Sequence, residues 1–162
     1  MRRLRLYLDT SVIGDFDADT ERGATTREFF RIVSENDDEF EIVLSPVVTE
    51  ELQDAPERIR NQAAAMLESI GFILLPISAE AEDLANLYIK HGVLGERHIE
   101  DLTHIAYATL SRCDYIISWN MKHIVRAKTI SAVHEFNRQN YYHCPNIATP
   151  TIITGELSHG ND

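Results

Sequence analysis

Asp9, Glu51, Asp101 and Asn120 are the residues of this chain whose types and spacing can do chemistry. Asp9 closes the run LRLYL at residues 4–8, where Leu4, Leu6 and Leu8 alternate with Arg5 and Tyr7. Glu51 follows a second apolar run, FEIVL at residues 40–44, and Asp101 opens the stretch DLTHIAYATL. Asn120 lies two residues after DYIIS at 114–118. Oxygen ligands converging at one place suit Mg²⁺ or Mn²⁺, which take carboxylates, keep several waters and bind phosphate oxygens. A cation held in this way activates water and neutralises the charge that builds on a phosphodiester during in-line attack. No histidine pair at helical spacing, serine nucleophile elbow or phosphate-binding glycine loop competes with this chemistry. The plainer alternatives are that Asp9 caps the next helix and that Asp101 is an acid favoured in a first helical turn.

The elements that must position these residues follow from the pattern. Residues 4–8 and 40–44 are short apolar runs that end in polar residues, as do 72–75 (FILL) and 114–118. All four are expected to be buried strands. Residues 147–153 are a fifth candidate, and Pro150 argues that it lies at an edge or stops early. Between them, helical spacing covers residues 25–34, a helix opened by Ser45 and Pro46, then 57–69, 78–90, 98–113 and 128–142. Gly71 ends the helix at 57–69, Ser78 caps the next, and 15–24 and 119–125 are loops. Strands separated by helices imply βαβ crossovers, hence a three-layer α/β/α sandwich around a parallel sheet of four to five strands. In such a sheet the strands run the same way, so Asp9, Glu51, Asp101 and Asn120 share its carboxyl edge, the usual ligand crevice.

Length and charge set the outer bounds. The 162 residues fit one domain over 1–162, with residues 154–162 expected to be a flexible tail. The net charge of −11 is regional: residues 15–57 hold fourteen acids against Arg22, Arg27 and Arg31, and the remainder is neutral. Such a chain is a poor general nucleic-acid binder, because phosphate contacts need Lys and Arg. It can still hold a polyanion locally through divalent cations and a few bases. The basic start, MRRLRLYLD, is too short in its apolar part to be a signal peptide, and no apolar run is long enough to span a bilayer. Cys113 and Cys144 show neither metal spacing nor a disulfide framework, which fits a reducing cytoplasm.

The motifs LYLDTSVIG, SPVVTEEL, EDLTHIAYAT and DYIISWNMKHIV resemble the PIN-domain family, in particular the VapC-type toxins of toxin–antitoxin pairs. They span residues 6–125, and the tail NIATPTII is similar to the family's closing strand. The resemblance implies a Mg²⁺- or Mn²⁺-dependent endoribonuclease that acts on RNA and is inactivated by a cognate antitoxin. It also implies a homodimer and no membrane. Carried over by position, the family's acids are Asp9, Glu51 and Asp101. The fourth falls at Asn120, which keeps an oxygen ligand but supplies no charge and no general base. This departure leaves open a PIN-like protein that binds without cutting, or a related nuclease or phosphatase.

Several neighbours have two readings. Glu51 is preferred to Glu50 because of its spacing from Ser45-Pro46 and the Leu52 that follows it. Thr10 and Ser11 either bond a metal-held water or a phosphate, or cap the next helix. Lys122, His123 and Arg126 form a short basic segment that would grip an RNA backbone, or remain solvated surface. His104 is expected to be bonded within the helix packing, and Trp119 to pack in the core rather than stack on a base.

Overall fold

The computed structural model describes residues 2–159. Its sheet begins with β1 (Leu4–Leu8), whose alternation sends Tyr7 to one face and Leu6 and Leu8 to the other. β2 (Phe40–Leu44) divides in the same way, with Val43 opposite Ile42 and Leu44. With β3 (Ile73–Leu74), β4 (Tyr115–Ile117) and β5 (Asn146–Ala148), all pairings are parallel and the order is β3-β2-β1-β4-β5. The architecture is therefore α/β, a five-stranded parallel sheet with helices on both faces.

Two apolar layers follow from the period of two. On one face α5 (Ala79–Lys90), α6 (Ile99–Leu110) and α7 (Ala127–Gln139) bury Leu84, Tyr88, Ile105 and Val133 against Tyr7 and Ile116. On the other, α1 (Thr10–Gly14), α2 (Glu21–Glu35), α3 (Pro46–Gln53), α4 (Glu57–Ile70) and α8 (Thr151–His159) contribute Val12, Phe29, Val48 and Leu67 against Leu8 and Ile117. Ser45 caps α3 by accepting the Val47 N–H, with Pro46 in the first turn. Gly71 ends α4 at φ 74°, a backbone that favours glycine. Ser78 caps α5 by accepting the Ala81 N–H.

The chain order explains where a crevice opens. From β1 the chain builds outward to β2 and β3, then returns to the far side of β1 for β4 and β5. The carboxyl ends of β1 and β4 thus flank the point where the winding reverses, the place at which open α/β sheets bind ligands. Asp9 sits there, its N–H extending the ladder to the Ile117 carbonyl at 3.2 Å.

The structure corrects some expected elements. The run at 72–75 is not buried: Ile73 and Leu74 form a two-residue strand at the edge of the sheet, 37% and 51% exposed. α1 is a short helix that no expected span included, and α2 begins at Glu21, within the expected loop at 15–24. The candidate strand at 147–153 lies at the sheet edge and stops early at Ala148, as Pro150 argues; what was not expected is α8, which follows with its first turn bonded back to the Pro150 carbonyl. That helix runs through residues 154–159 of the expected tail; residues 160–162 lie outside the described residues.

Candidate active site

Strand polarity delivers Asp9 to the crevice with its side chain inward, 4% exposed. It stands at the N-cap position of α1 but makes no side-chain cap bond. Its two oxygens are held instead by hydroxyls: Ser11 Oγ donates to Oδ1 at 2.5 Å and Ser118 Oγ to Oδ2 at 2.9 Å. Both serines are fixed in turn. Ser11 Oγ accepts the Trp119 N–H, and Ser118 Oγ accepts the Asn120 N–H, each at 2.9 Å. Burial pushes the Asp9 carboxyl pKa up, and the nearby Glu51 adds to this. The His104 charge and the two hydroxyl bonds oppose the rise without cancelling it.

Asp101 comes from the first turn of α6 and is half-buried. Asn120 Nδ2 donates to its Oδ1 at 3.1 Å, while Asn120 Oδ1 accepts the His123 N–H at 3.1 Å. The backbone donor at His123 fixes which way the amide faces, so its NH₂ group points at Asp101. An aspartate here could accept from His123 but could not donate to Asp101. Burial raises the Asp101 pKa as well, against the charges of His104, His123 and His98.

Glu51 faces the crevice from α3 through His104, whose Nε2 lies 2.7 Å from Glu51 Oε1. Glu50, one residue earlier, is exposed. His104 Nδ1 lies 2.6 Å from the Tyr7 hydroxyl, which lies 2.7 Å from Ser45 Oγ. Ser45 accepts the Val47 N–H, so its own proton is free to point at Tyr7. In the neutral tautomer every proton finds an acceptor: Ser45 donates to Tyr7, Tyr7 to His104, and His104 to Glu51. Burial by itself would lower the His104 pKa. The Glu51 bond and the charges of Asp9, Glu51 and Asp101 outweigh it and hold the imidazole above its ordinary value. Tyr7 is raised well above the usual phenol range, chiefly by burial, and is a neutral hydrogen-bonding group.

The four residues singled out by sequence thus share one edge, but they are not equally close. Asp101 and Asn120 touch; Asp9 reaches Asn120 through Ser118; Glu51 connects through His104. Among the described residues, the three whose ligand atoms all come within 4.8 Å of one another are His98, Asp101 and His123. Thr10 Oγ1 is buried beside Asp9 without a partner. Lys122 and Arg126 are exposed on the turn that Asn120 closes, and only His123 of that segment turns in towards Asp101. Trp119 packs in the core, its Nε1 donating to Thr26 Oγ1 at 2.8 Å. Tyr7 and Ser45 escaped the sequence reading because their roles depend on contacts 97 and 38 residues apart.

This donor set fits a hard divalent cation. Among the described residues Asp9 is a buried carboxylate with no Lys or Arg partner, Asp101 has one oxygen free of Asn120, and Thr10 Oγ1 is an unpaired oxygen between strand and helix. Beside the edge, a groove of about 580 Å³ is lined by Glu50, Glu51, Asp54, Glu82 and Glu100.

No family model and no curated protein matches the chain in sequence. Among solved structures it is similar to VapC20 of Mycobacterium tuberculosis, described as a sarcin–ricin-loop-cleaving toxin. The two superpose with a TM-score of 0.57 at 18% identity, over 73% of this chain and 92% of that one. The likeness is one of fold.

Proposed function

We propose that the protein is a Mg²⁺- or Mn²⁺-dependent endoribonuclease of the VapC toxin type. The observation that carries the reading is Asp9: a buried carboxylate at the winding reversal, held by two serines and paired with no Lys or Arg among the described residues. Such a group costs stability unless a cation compensates it. Asp9 and Asp101 would hold the ion, with Glu51 completing the set. When bound, the ion lowers the pKa of water and offsets charge on the scissile phosphodiester. Glu51, held by His104, orients the attacking water or takes its proton. Asn120 fixes Asp101 and the turn carrying His123. Thr10 and Ser11 offer hydroxyls to a phosphate oxygen or a held water. Lys122, His123 and Arg126 stand on the rim to grip the RNA backbone.

Fold likeness to a toxin, together with the motif resemblance, supports a protein partner of the antitoxin class. The groove of five acids suits a basic segment of such a partner. No helix of the described residues is long and apolar enough to cross a membrane. A homodimer and a cytoplasmic setting complete the reading.

The test is cleavage of a mixed pool of structured RNAs by the purified, partner-free chain. Cleavage should require Mg²⁺ or Mn²⁺, stop with EDTA, and fall by at least about 10³-fold in Asp9→Asn, as when a principal charge-stabilising group is lost. Equal cleavage by Asp9→Asn would remove this site from the reading.

A further inference from the structure

We propose that His98, Asp101 and His123 form a binding site for a borderline divalent transition ion, of the Zn²⁺ or Co²⁺ class. This site lies beside the hard-cation position at Asp9. The inference goes beyond the nuclease reading, with which it shares Asp101, His123 and the supporting Asn120.

Three observations place the ligands. The single 3-10 turn Glu96–His98 leads directly into α6, so His98 lies one turn before Asp101, with Nδ1 3.6 Å from Oδ2. His123 comes from the turn after β4, and its ring lies over that of His98, centroids 3.9 Å apart and planes tilted by 36°. One ligand atom from each of the three lies within 4.8 Å of the other two, and all three side chains are half-buried. An ion with bonds of about 2.1 Å sets its ligand atoms roughly 3 to 3.5 Å apart. The His98–Asp101 pair, at 3.6 Å, stands just outside this range, and the His123 nitrogen, within 4.8 Å of both, must also close in when an ion binds.

Asn120 makes the arrangement a supported one. Its NH₂ group occupies Asp101 Oδ1, which leaves Oδ2 for the side facing His98. Its carbonyl holds the His123 N–H and so fixes the turn that carries the second imidazole. Groups that orient metal ligands in this way are part of a site's affinity. The donors are two nitrogens and one oxygen. Imidazole suits Zn²⁺, Cu²⁺, Fe²⁺ and Ni²⁺, whereas Mg²⁺ prefers an all-oxygen shell with near-ideal octahedral geometry. With three protein ligands, the ion keeps an open position at the mouth of the crevice, where a water or a phosphate oxygen can bind.

The experiment uses the full chain, stripped with a chelator and titrated with Co²⁺ in the absence of RNA. Binding is read by calorimetry and by the visible d–d spectrum. The expected result is one Co²⁺ per chain with a nitrogen-ligated spectrum that a large excess of Mg²⁺ does not abolish. His98→Gln and His123→Gln should each weaken binding by at least roughly tenfold, and Asn120→Ala by about tenfold, the loss typical of orienting groups. His91→Gln, in an exposed residue packed on Phe136, should leave it unchanged. Melting curves of the metal-free variants show whether each is folded. Co²⁺ binding indifferent to both His98→Gln and His123→Gln overturns the proposal. Binding lost in Asp9→Asn but kept in the histidine variants also overturns it, since the ion then sits among the carboxylates. Persisting Co²⁺ binding in a chain that cuts no RNA supports this site and counts against the nuclease reading alone.

Discussion

At the amino end of the sheet, Asp114 takes both guanidinium nitrogens of Arg2 at 2.9 Å and the Arg5 N–H at 2.8 Å. Glu41 beside it pairs with Arg3 and Arg5. At the carboxyl end, Asp9, Glu51 and Asp101 meet serine hydroxyls, one amide and imidazoles, and among the described residues no Lys or Arg pairs with them. The two ends lie only one strand length apart. The difference shows in the titrations. Burial tends to raise the Asp114 pKa, but the bonds from Arg2 and the Arg5 N–H win and hold it below the ordinary value. For Asp9 and Asp101, burial wins. One end pairs its acids with arginines; the other, among the described residues, has no such pairs, which suits the cation proposed for it.

Asn120→Asp widens this contrast and should have the largest effect on stability. It exchanges the donor that holds Asp101 for a fourth negative charge. The metal-free chain should lose about 1–3 kcal/mol, read by urea unfolding, and Mg²⁺ should restore more stability than in the wild type. An unchanged metal-free stability would show that the amide does not hold Asp101.

Asp114→Ala probes the balanced end, with a smaller loss of about 1 kcal/mol that Mg²⁺ does not repair. Its pH dependence follows from the lowered folded pKa. Stability from Asp114 is complete above its unfolded value of about 3.9 and is lost as pH falls through the folded one. The deficit of the variant should therefore shrink only below about pH 4. A deficit that fades between neutrality and pH 5 would assign the effect to another group.

Much of this contrast could be read from the sequence, because its carriers are local. Residues 4–8 and 40–44 form strands over the expected spans, since alternating apolar residues must divide between two covered faces. Asp9 and Asp101 fall at one edge because strand polarity and helix starts are sequence properties. What was not legible depends on distant or covering neighbours. The apolar run FILL looks like any buried strand, but it falls at the edge of the sheet, where Leu74 stays exposed. α1 has only five residues and two buried apolar side chains, too little periodicity to register. Pro150 signals the end of a strand as well as the start of a helix, and the second meaning prevails. The relay from Ser45 through Tyr7 and His104 to Glu51 joins α3 and its cap with β1 and α6, and no spacing along the chain announces it.

Melting of the full chain with and without Mg²⁺, with Asp9→Asn beside the wild type, tests most directly whether the carboxyl end is a cation site. Because the folded pKa of Asp9 is raised, its charge costs stability above that pKa, and the cost disappears below about pH 3.9. In chelator at neutral pH, Asp9→Asn should melt roughly 2–4 °C above the wild type, as about 1 kcal/mol gives in a chain of this length. The gap should close as pH falls towards 4. Saturating Mg²⁺ should then raise the wild type, by roughly 2.7 kcal/mol at about 100 times its Kd, and leave Asp9→Asn nearly where it was. Equal responses of the two proteins to Mg²⁺, or a wild type that already melts above Asp9→Asn in chelator, would contradict the account.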